Sequence, residues 1–174
     1  MVKKAKEGDV NAIGTLITEN TQSMYRVAFG ILKNDEEIFD AIQNTTVIVF
    51  EKINTLKKDE FFKTWLTRIL INECYKIYNQ SKKIVYMENY NQENLEYTDS
   101  YENLEMKNLL KNLNDELKDV VILYYIEDYS VKEIAKILEI PDGTVKSRLS
   151  RARKELETIL LKSEEIERRQ SNER

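Results

Sequence analysis

Four glycines and one proline are spread over 174 residues, and this scarcity of turn chemistry constrains the fold more than any other feature. Sandwiches, barrels and wound sheets change direction every few residues and rely on Gly, Pro, Asn and Asp to do so. A chain this poor in punctuation and rich in Leu, Ile, Glu and Lys reads as all-helical. Its chemistry is limited in the same way. There is no His and a single Cys, so imidazole general-base catalysis, Ser-His-Asp triads, His-ligated haem and the usual zinc clusters are excluded. No catalytic residue, metal ligand or cofactor is therefore assigned, and no small-molecule substrate is expected. Cys74 has no internal disulfide partner and is expected to be a small buried residue of a reducing compartment. With no signal-peptide pattern and no apolar run near the roughly 18 to 20 residues that span a bilayer, the protein is expected in the cytoplasm.

Charge divides the chain. Net charge is −4 overall, but residues 84–106, IVYMENYNQENLEYTDSYENLEM, contain six acids and no Lys or Arg. That stretch is aperiodic until its last residues and reads as a flexible acidic linker. The expected organisation is two small helical domains, 1–83 and 101–162, joined by a linker at 84–100 and followed by a charged tail at 163–174.

In the first domain, Val10, Ile13, Leu16 and Ile17, then Met24, Val27, Ala28, Ile31 and Leu32, recur at helical spacing, giving two short helices or one bent one. Asn34 with Glu37 three residues on predicts a capped start to a helix reaching about Leu56. Asp59 is expected to cap a fourth helix, FFKTWLTRILINECYKIYNQ. In the second domain, Leu104, Leu109, Leu110 and Leu113 mark one helix and Leu117, Val120, Val121, Leu123 and Tyr124 the next.

The run SVKEIAKIL, EIPDG, TVKSRLSRARKEL carries the strongest signal. Ser130 with Glu133 forms a capping box, Pro141 and Gly143 break the chain, and a longer helix follows from about Asp142 to Leu161; this is a helix-turn-helix pattern. At 100° per residue, Val145, Leu149, Ala152 and Leu156 face the core. Ser147, Ser150, Arg151 and Lys154 lie opposite, flanked by Lys146 and Arg153 on one edge and Thr144 and Arg148 on the other. Basic side chains interleaved with small hydroxyls suit a major groove, because Arg and Lys reach guanine edges or phosphate while Ser and Thr let the helix lie close. A second constellation, Phe61, Trp65, Arg68, Asn72 and Lys76, forms one stripe on the fourth helix. Aromatic, basic and amide groups on one edge suit unstacked single-stranded DNA, although the size of Trp65 favours a place in the core.

The order of these features resembles an extracytoplasmic-function sigma factor, a minimal two-domain bacterial transcription initiation factor, over residues 5–162. The resemblance rests on YRVAFGILKN at 25–34, DAIQ at 40–43, WLTRILIN at 65–72 and YSVKEIAKILEIPDGTVKSRLSRARKEL at 129–156. It implies that the first domain opens the minus-ten element and docks on the beta-prime clamp helices of core RNA polymerase, with Asp40 and Gln43 in the docking helix. It implies that Asn72 holds a flipped base beside a pocket loop at 56–63 and that Lys82 and Lys83 meet phosphate; Phe61, Arg68 and Lys76 are assigned to the opened strand from the helix edge they share with Asn72. Lys146, Ser147, Ser150 and Arg151 match the duplex-reading positions for the minus-thirty-five element. The resemblance further implies the beta flap and promoter DNA as partners, a membrane-anchored anti-sigma factor, a role in envelope or stress responses, and a linker running through a positively lined polymerase channel. Asn44, Thr46 and Ile48 depart from the family pattern after DAIQ.

Two other classes compete. A free-standing helix-turn-helix regulator needs several phosphate contacts of its own, which a net acidic chain with one basic helix supplies poorly. A carboxylate-bridged metalloenzyme in a helical bundle draws on Glu-x-x-His pairs, which a chain without His lacks.

Overall fold

The computed structural model describes residues 1–87, 110 and 112–172, and among them every regular element is helical. A short α1 (Val2–Lys6) turns at Gly8, whose φ of 93° is open to glycine at little cost. The next helix, α2 (Val10–Ile31), starts where the Asp9 side chain accepts a hydrogen bond from the Ala12 amide at 3.1 Å. The two apolar runs seen in the sequence are thus one helix. With neither Gly14 nor any proline interrupting the ladder, a single 22-residue element keeps Ile13, Leu16, Met24, Val27 and Ala28 on one buried face.

Asn34 caps α3 (Asp35–Lys52) as the sequence predicts, accepting from the Glu37 amide at 2.9 Å. A 3-10 turn (Ile53–Thr55) ends it, and a second one (Asp59–Phe61) leads into α4 (Phe62–Met87). Asp59 does not cap this helix. Its carboxylate is drawn to the Lys6 ammonium at 2.9 Å, and the chain enters α4 through the 3-10 turn instead. Helices α2, α3 and α4 pack around Ile38, Val49, Leu66, Leu70 and Cys74, all nearly inaccessible. Burying each large aliphatic side chain among these contributes about 1.5 to 3 kcal/mol. α4 runs to Met87, into the stretch read as linker; residues 88–100, Leu104 and Leu109 lie outside the described residues.

The second domain builds on α5 (Asp115–Val121), capped by Asn114, which accepts from the Leu117 amide at 3.0 Å. A π-helical turn (Ile122–Ile126) follows, ended by Glu127, and the chain then turns at left-handed Asp128, whose φ is 55°. Helix α6 (Val131–Leu138) opens on the predicted capping box: Ser130 Oγ accepts from the Glu133 amide, and the Glu133 carboxylate accepts from the Ser130 amide at 2.9 Å. Ser130 Oγ also donates to the Glu133 carboxylate at 2.6 Å, and this bond, with the one from the Ser130 amide, favours the charged form and holds the Glu133 carboxyl below its usual range. Left-handed Glu139 (φ 55°) ends α6, and the Ile140 amide donates back to the Ala135 carbonyl at 3.1 Å. Then α7 (Asp142–Asn172) begins, longer than the sequence reading by 11 residues at its C-terminal end. Val145, Leu149 and Ala152 are buried as the wheel predicts, and α7 packs on α5 and α6.

The two domains touch. α4 packs on α6, and α2 packs on α5 and the π-helical turn. At Gly30 an added Cβ would stand 2.0 Å from Ile122 Cδ1, so the absent side chain is what lets these segments meet.

Candidate nucleic-acid interface

On α7, Lys146, Ser147, Ser150, Arg151 and Lys154 are all exposed, directly opposite the buried Val145, Leu149 and Ala152. Lys146, Arg151 and Lys154 make no ion pair among the described residues. Their charge is available to an anionic ligand. Ser147 Oγ donates to the Thr144 carbonyl at 2.9 Å, and Thr144 is half-buried. Arg148 stands apart from this row. Its side chain is 15% exposed and is paired with Glu116 of α5 at 2.9 Å, so its guanidinium is directed to the domain's own framework. Arg153 Nε donates to the Tyr125 hydroxyl at 2.7 Å, fixing the shoulder of the helix.

The α4 stripe is divided by its tertiary surroundings. Trp65, Asn72 and Lys76 meet at a groove of about 500 Å³ between α3 and α4, whose other walls include Ile48, Lys52 and Ile69. Trp65 is half-buried, packing on Phe62 with ring centroids 6.2 Å apart while also lining the groove. It therefore joins core to cleft instead of lying wholly within the core. Asn72 is exposed, and Lys76, also exposed, pairs with the largely buried carboxylate of Glu73. Lys52 is the member that sequence reasoning missed. It belongs to α3, and nothing in the linear pattern states which turn of α3 will lie against Asn72.

The rest of the stripe faces the second domain. Phe61 lies under the Lys136 ammonium, 4.2 Å from the ring centroid, and Arg68 pairs with Glu139. Lys82 is exposed and sits 4.2 Å over the Tyr78 ring; the side chain of Lys83 lies outside the described residues.

Asp40 and Gln43 are exposed on α3. Along the same helix, Phe39, Val47 and Phe50 are 61%, 52% and 43% exposed, and the spacing 39, 43, 47, 50 makes one continuous stripe. Of the departures from the family pattern, Asn44 is exposed, Thr46 Oγ1 donates to the Ile42 carbonyl at 2.8 Å and Ile48 lines the groove. Among the described residues no group of three or more Cys, Asp and Glu is arranged to hold a metal ion, and no helix is long and apolar enough to cross a membrane.

The geometry pairs a basic helix-turn-helix face with an aromatic and amide groove on a separate bundle. The family models for Sigma-70 region 2 and Sigma-70 region 4 match residues 16–84 and 103–156. The RNA polymerase sigma factor SigV of Bacillus subtilis is 30% identical over 166 residues, covering 92% of this chain and 98% of the relative. The ECF RNA polymerase sigma factor SigW of the same organism is 28% identical over 172 residues, covering 89% and 92%. Among solved structures, CnrH in complex with the cytosolic domain of CnrY superposes with a TM-score of 0.73 at 22% identity, over 91% of this chain and 94% of that one. Sigma factor RpoE in complex with the anti-sigma factor NepR, from Bartonella quintana, gives 0.74 at 22%, over 87% and 98%. The chain belongs to the extracytoplasmic-function sigma factors, alternative sigma factors that bind core RNA polymerase and promoter DNA to initiate transcription.

Proposed function

We propose that residues 1–83 open the minus-ten element and dock on the polymerase clamp, that residues 101–162 read the minus-thirty-five duplex, and that the acidic stretch 84–100 connects them through the polymerase. The observation that carries this reading is the opposition of faces on α7, where Val145, Leu149 and Ala152 are buried behind exposed Lys146, Ser147, Ser150, Arg151 and Lys154. That arrangement presents hydroxyl, ammonium and guanidinium groups to a groove without acids between them. Arg148 and Thr144 then act as supports of the row, Arg148 through Glu116.

For strand opening, the groove between α3 and α4 offers an indole edge, an amide and two ammonium groups. Flipping a base costs a few kcal/mol, which stacking, the Asn72 amide and neutralisation of phosphate by Lys52 and Lys76 offset. Polymerase docking falls to α3, where Asp40 and Gln43 flank the exposed Phe39, Val47 and Phe50; an apolar stripe of this kind suits a protein partner. The chain itself performs no catalysis. It works in the cytoplasm, in an envelope or stress response, and is held inactive by a membrane-anchored anti-sigma factor; support for an inhibitory partner comes from the neighbour RpoE, solved in complex with the anti-sigma factor NepR. The beta flap is the expected partner of the second domain.

The experiment is run-off transcription with core polymerase and mapping of the start sites, followed by permanganate footprinting with Asn72→Ala. Loss of strand opening with polymerase binding and duplex recognition retained supports the assignment. Normal opening by that variant removes Asn72 from it.

A further inference from the structure

We infer that the free chain masks its own strand-opening edge: the helix-turn-helix domain closes on α4 and places an acidic side chain where Arg68 would meet a DNA phosphate. This rests on the reading of the α4 stripe as a single-strand contact, and goes beyond it by assigning a second, closed state.

Three contacts cover the same edge. Arg68 is paired with Glu139, the left-handed residue at the end of α6. Both side chains are substantially exposed, 44% and 63%, so the guanidinium remains within reach of solvent anions that compete for it. The Lys136 ammonium lies over the Phe61 ring, 4.2 Å from its centroid, closer than Lys58 of the first domain at 5.7 Å, and so occupies ring surface that a stacking nucleobase would use. The Thr67 and Tyr129 hydroxyls are hydrogen-bonded at 2.7 Å, and both residues are buried, so water is excluded at this one contact between the domains.

A second seam fixes the closure from the other side of the bundle. Glu127, at the end of the π-helical turn, has a side chain only 1% exposed. Its carboxylate accepts from Ser23 and from Arg26 Nε, the latter at 2.7 Å, and both donors belong to α2. A carboxylate buried to this degree needs its partners, and here the partners lie in the first domain. Beside it Gly30 meets Ile122 with no room for a Cβ. Asn72, Trp65 and the groove remain outside the covered zone, as does the basic face of α7. The closed state therefore blocks the Phe61 and Arg68 half of the stripe and leaves duplex reading open. Binding of a partner that separates the domains frees the edge, by differential affinity for the open form.

Two substitutions outside the DNA-facing side chains test this. Gly30→Leu drives a branched side chain into the contact with Ile122 on ordinary helical backbone, wedging the domains apart. Glu139→Gln keeps size and hydrogen bonding while removing the charge that stands in for phosphate, and adds no positive charge that would attract DNA unaided. The probe is a fluorescein-labelled, random-sequence single-stranded DNA of about 20 nucleotides, titrated by anisotropy against the full chain. Small-angle scattering and a thermal melt accompany each variant. Gly30→Leu is expected to enlarge the radius of gyration and tighten oligonucleotide binding about tenfold or more, since a competent state populated a tenth of the time or less lowers apparent affinity by that fraction. Glu139→Gln is expected to tighten binding severalfold. A folded Gly30→Leu chain with unchanged radius overturns the closed state, and a larger radius without tighter binding overturns the masking. Unchanged affinity for Glu139→Gln overturns the phosphate substitution whether or not the wedge variant folds. The strand-opening reading stands or falls separately, on promoter melting by Asn72→Ala in the holoenzyme.

Discussion

Asp119 is a carboxylate in an unfavourable place, and replacing it with Asn should change the pH dependence of stability in a defined way. It lies on α5 with 8% exposure; Oδ2 accepts from the Tyr75 hydroxyl of α4 at 2.7 Å, while buried Oδ1 has no hydrogen-bond partner among the described residues. Burial is the largest influence and raises its pKa, Asp115 adds to the rise, and Tyr75, Arg148 and Lys118 oppose it, leaving the group pushed up from 3.8 to about 6. A pKa higher in the folded than in the unfolded chain means that the folded chain binds the proton more tightly. Stability from this group is therefore greatest at low pH and is lost as pH rises from about 4 to about 6. The full rise corresponds to about 3 kcal/mol, of which about 2 kcal/mol falls between pH 4 and pH 7.5. Asp119→Asn keeps the acceptor for Tyr75 and does not ionise. The amide hydrogens at the former Oδ1 side cost about 1 to 3 kcal/mol if unpaired, but that cost does not vary with pH. Urea unfolding of both chains at several pH values measures the gap between them. Every other carboxylate is common to the two chains and cancels. Relative to the wild type, the variant should gain about 2 kcal/mol on going from pH 4 to pH 7.5; a gap that stays constant over that range would refute the reasoning.

Three further outcomes follow from single sites. Arg151→Ala should cost about 1 to 3 kcal/mol of affinity for a matched minus-thirty-five duplex and much less for a mutated one, whereas Arg153→Ala, tied to Tyr125, should weaken both equally. Gel shifts with holoenzyme on the two duplexes decide it, and equal losses for Arg151→Ala would deny a base contact. Ser130→Ala removes the side-chain half of the α6 capping box and should lower stability by about 0.5 to 2 kcal/mol in a thermal or urea melt. Cys74 is fully buried and its thiol is pushed up to about 12, chiefly by burial, so a thiol reagent such as dithionitrobenzoate should react only as fast as the chain opens, and a fast native-state reaction would contradict the packing of α4.

The sequence by itself determined what depends on neighbours a few residues away. Helix starts at Asn34 and Ser130 were legible because a cap is a bond across three residues. The buried row Val145, Leu149 and Ala152 and the exposed row opposite were legible because one helical period assigns both. The resemblance to sigma factors came from these same local runs. Tertiary structure decided everything that rests on a partner far along the chain. Asp59 left its predicted cap for Lys6, 53 residues earlier; Arg148 left the reading face for Glu116 on another helix. The stripe on α4 looked uniform on a wheel, yet Phe61 and Arg68 went to α6 while Trp65, Asn72 and Lys76 were joined by Lys52 in a groove. Helical periodicity states which side of a helix a residue occupies; what covers that side is fixed by packing between elements, and charged side chains long enough to reach several candidate partners settle on the one that packing brings within about 3 Å.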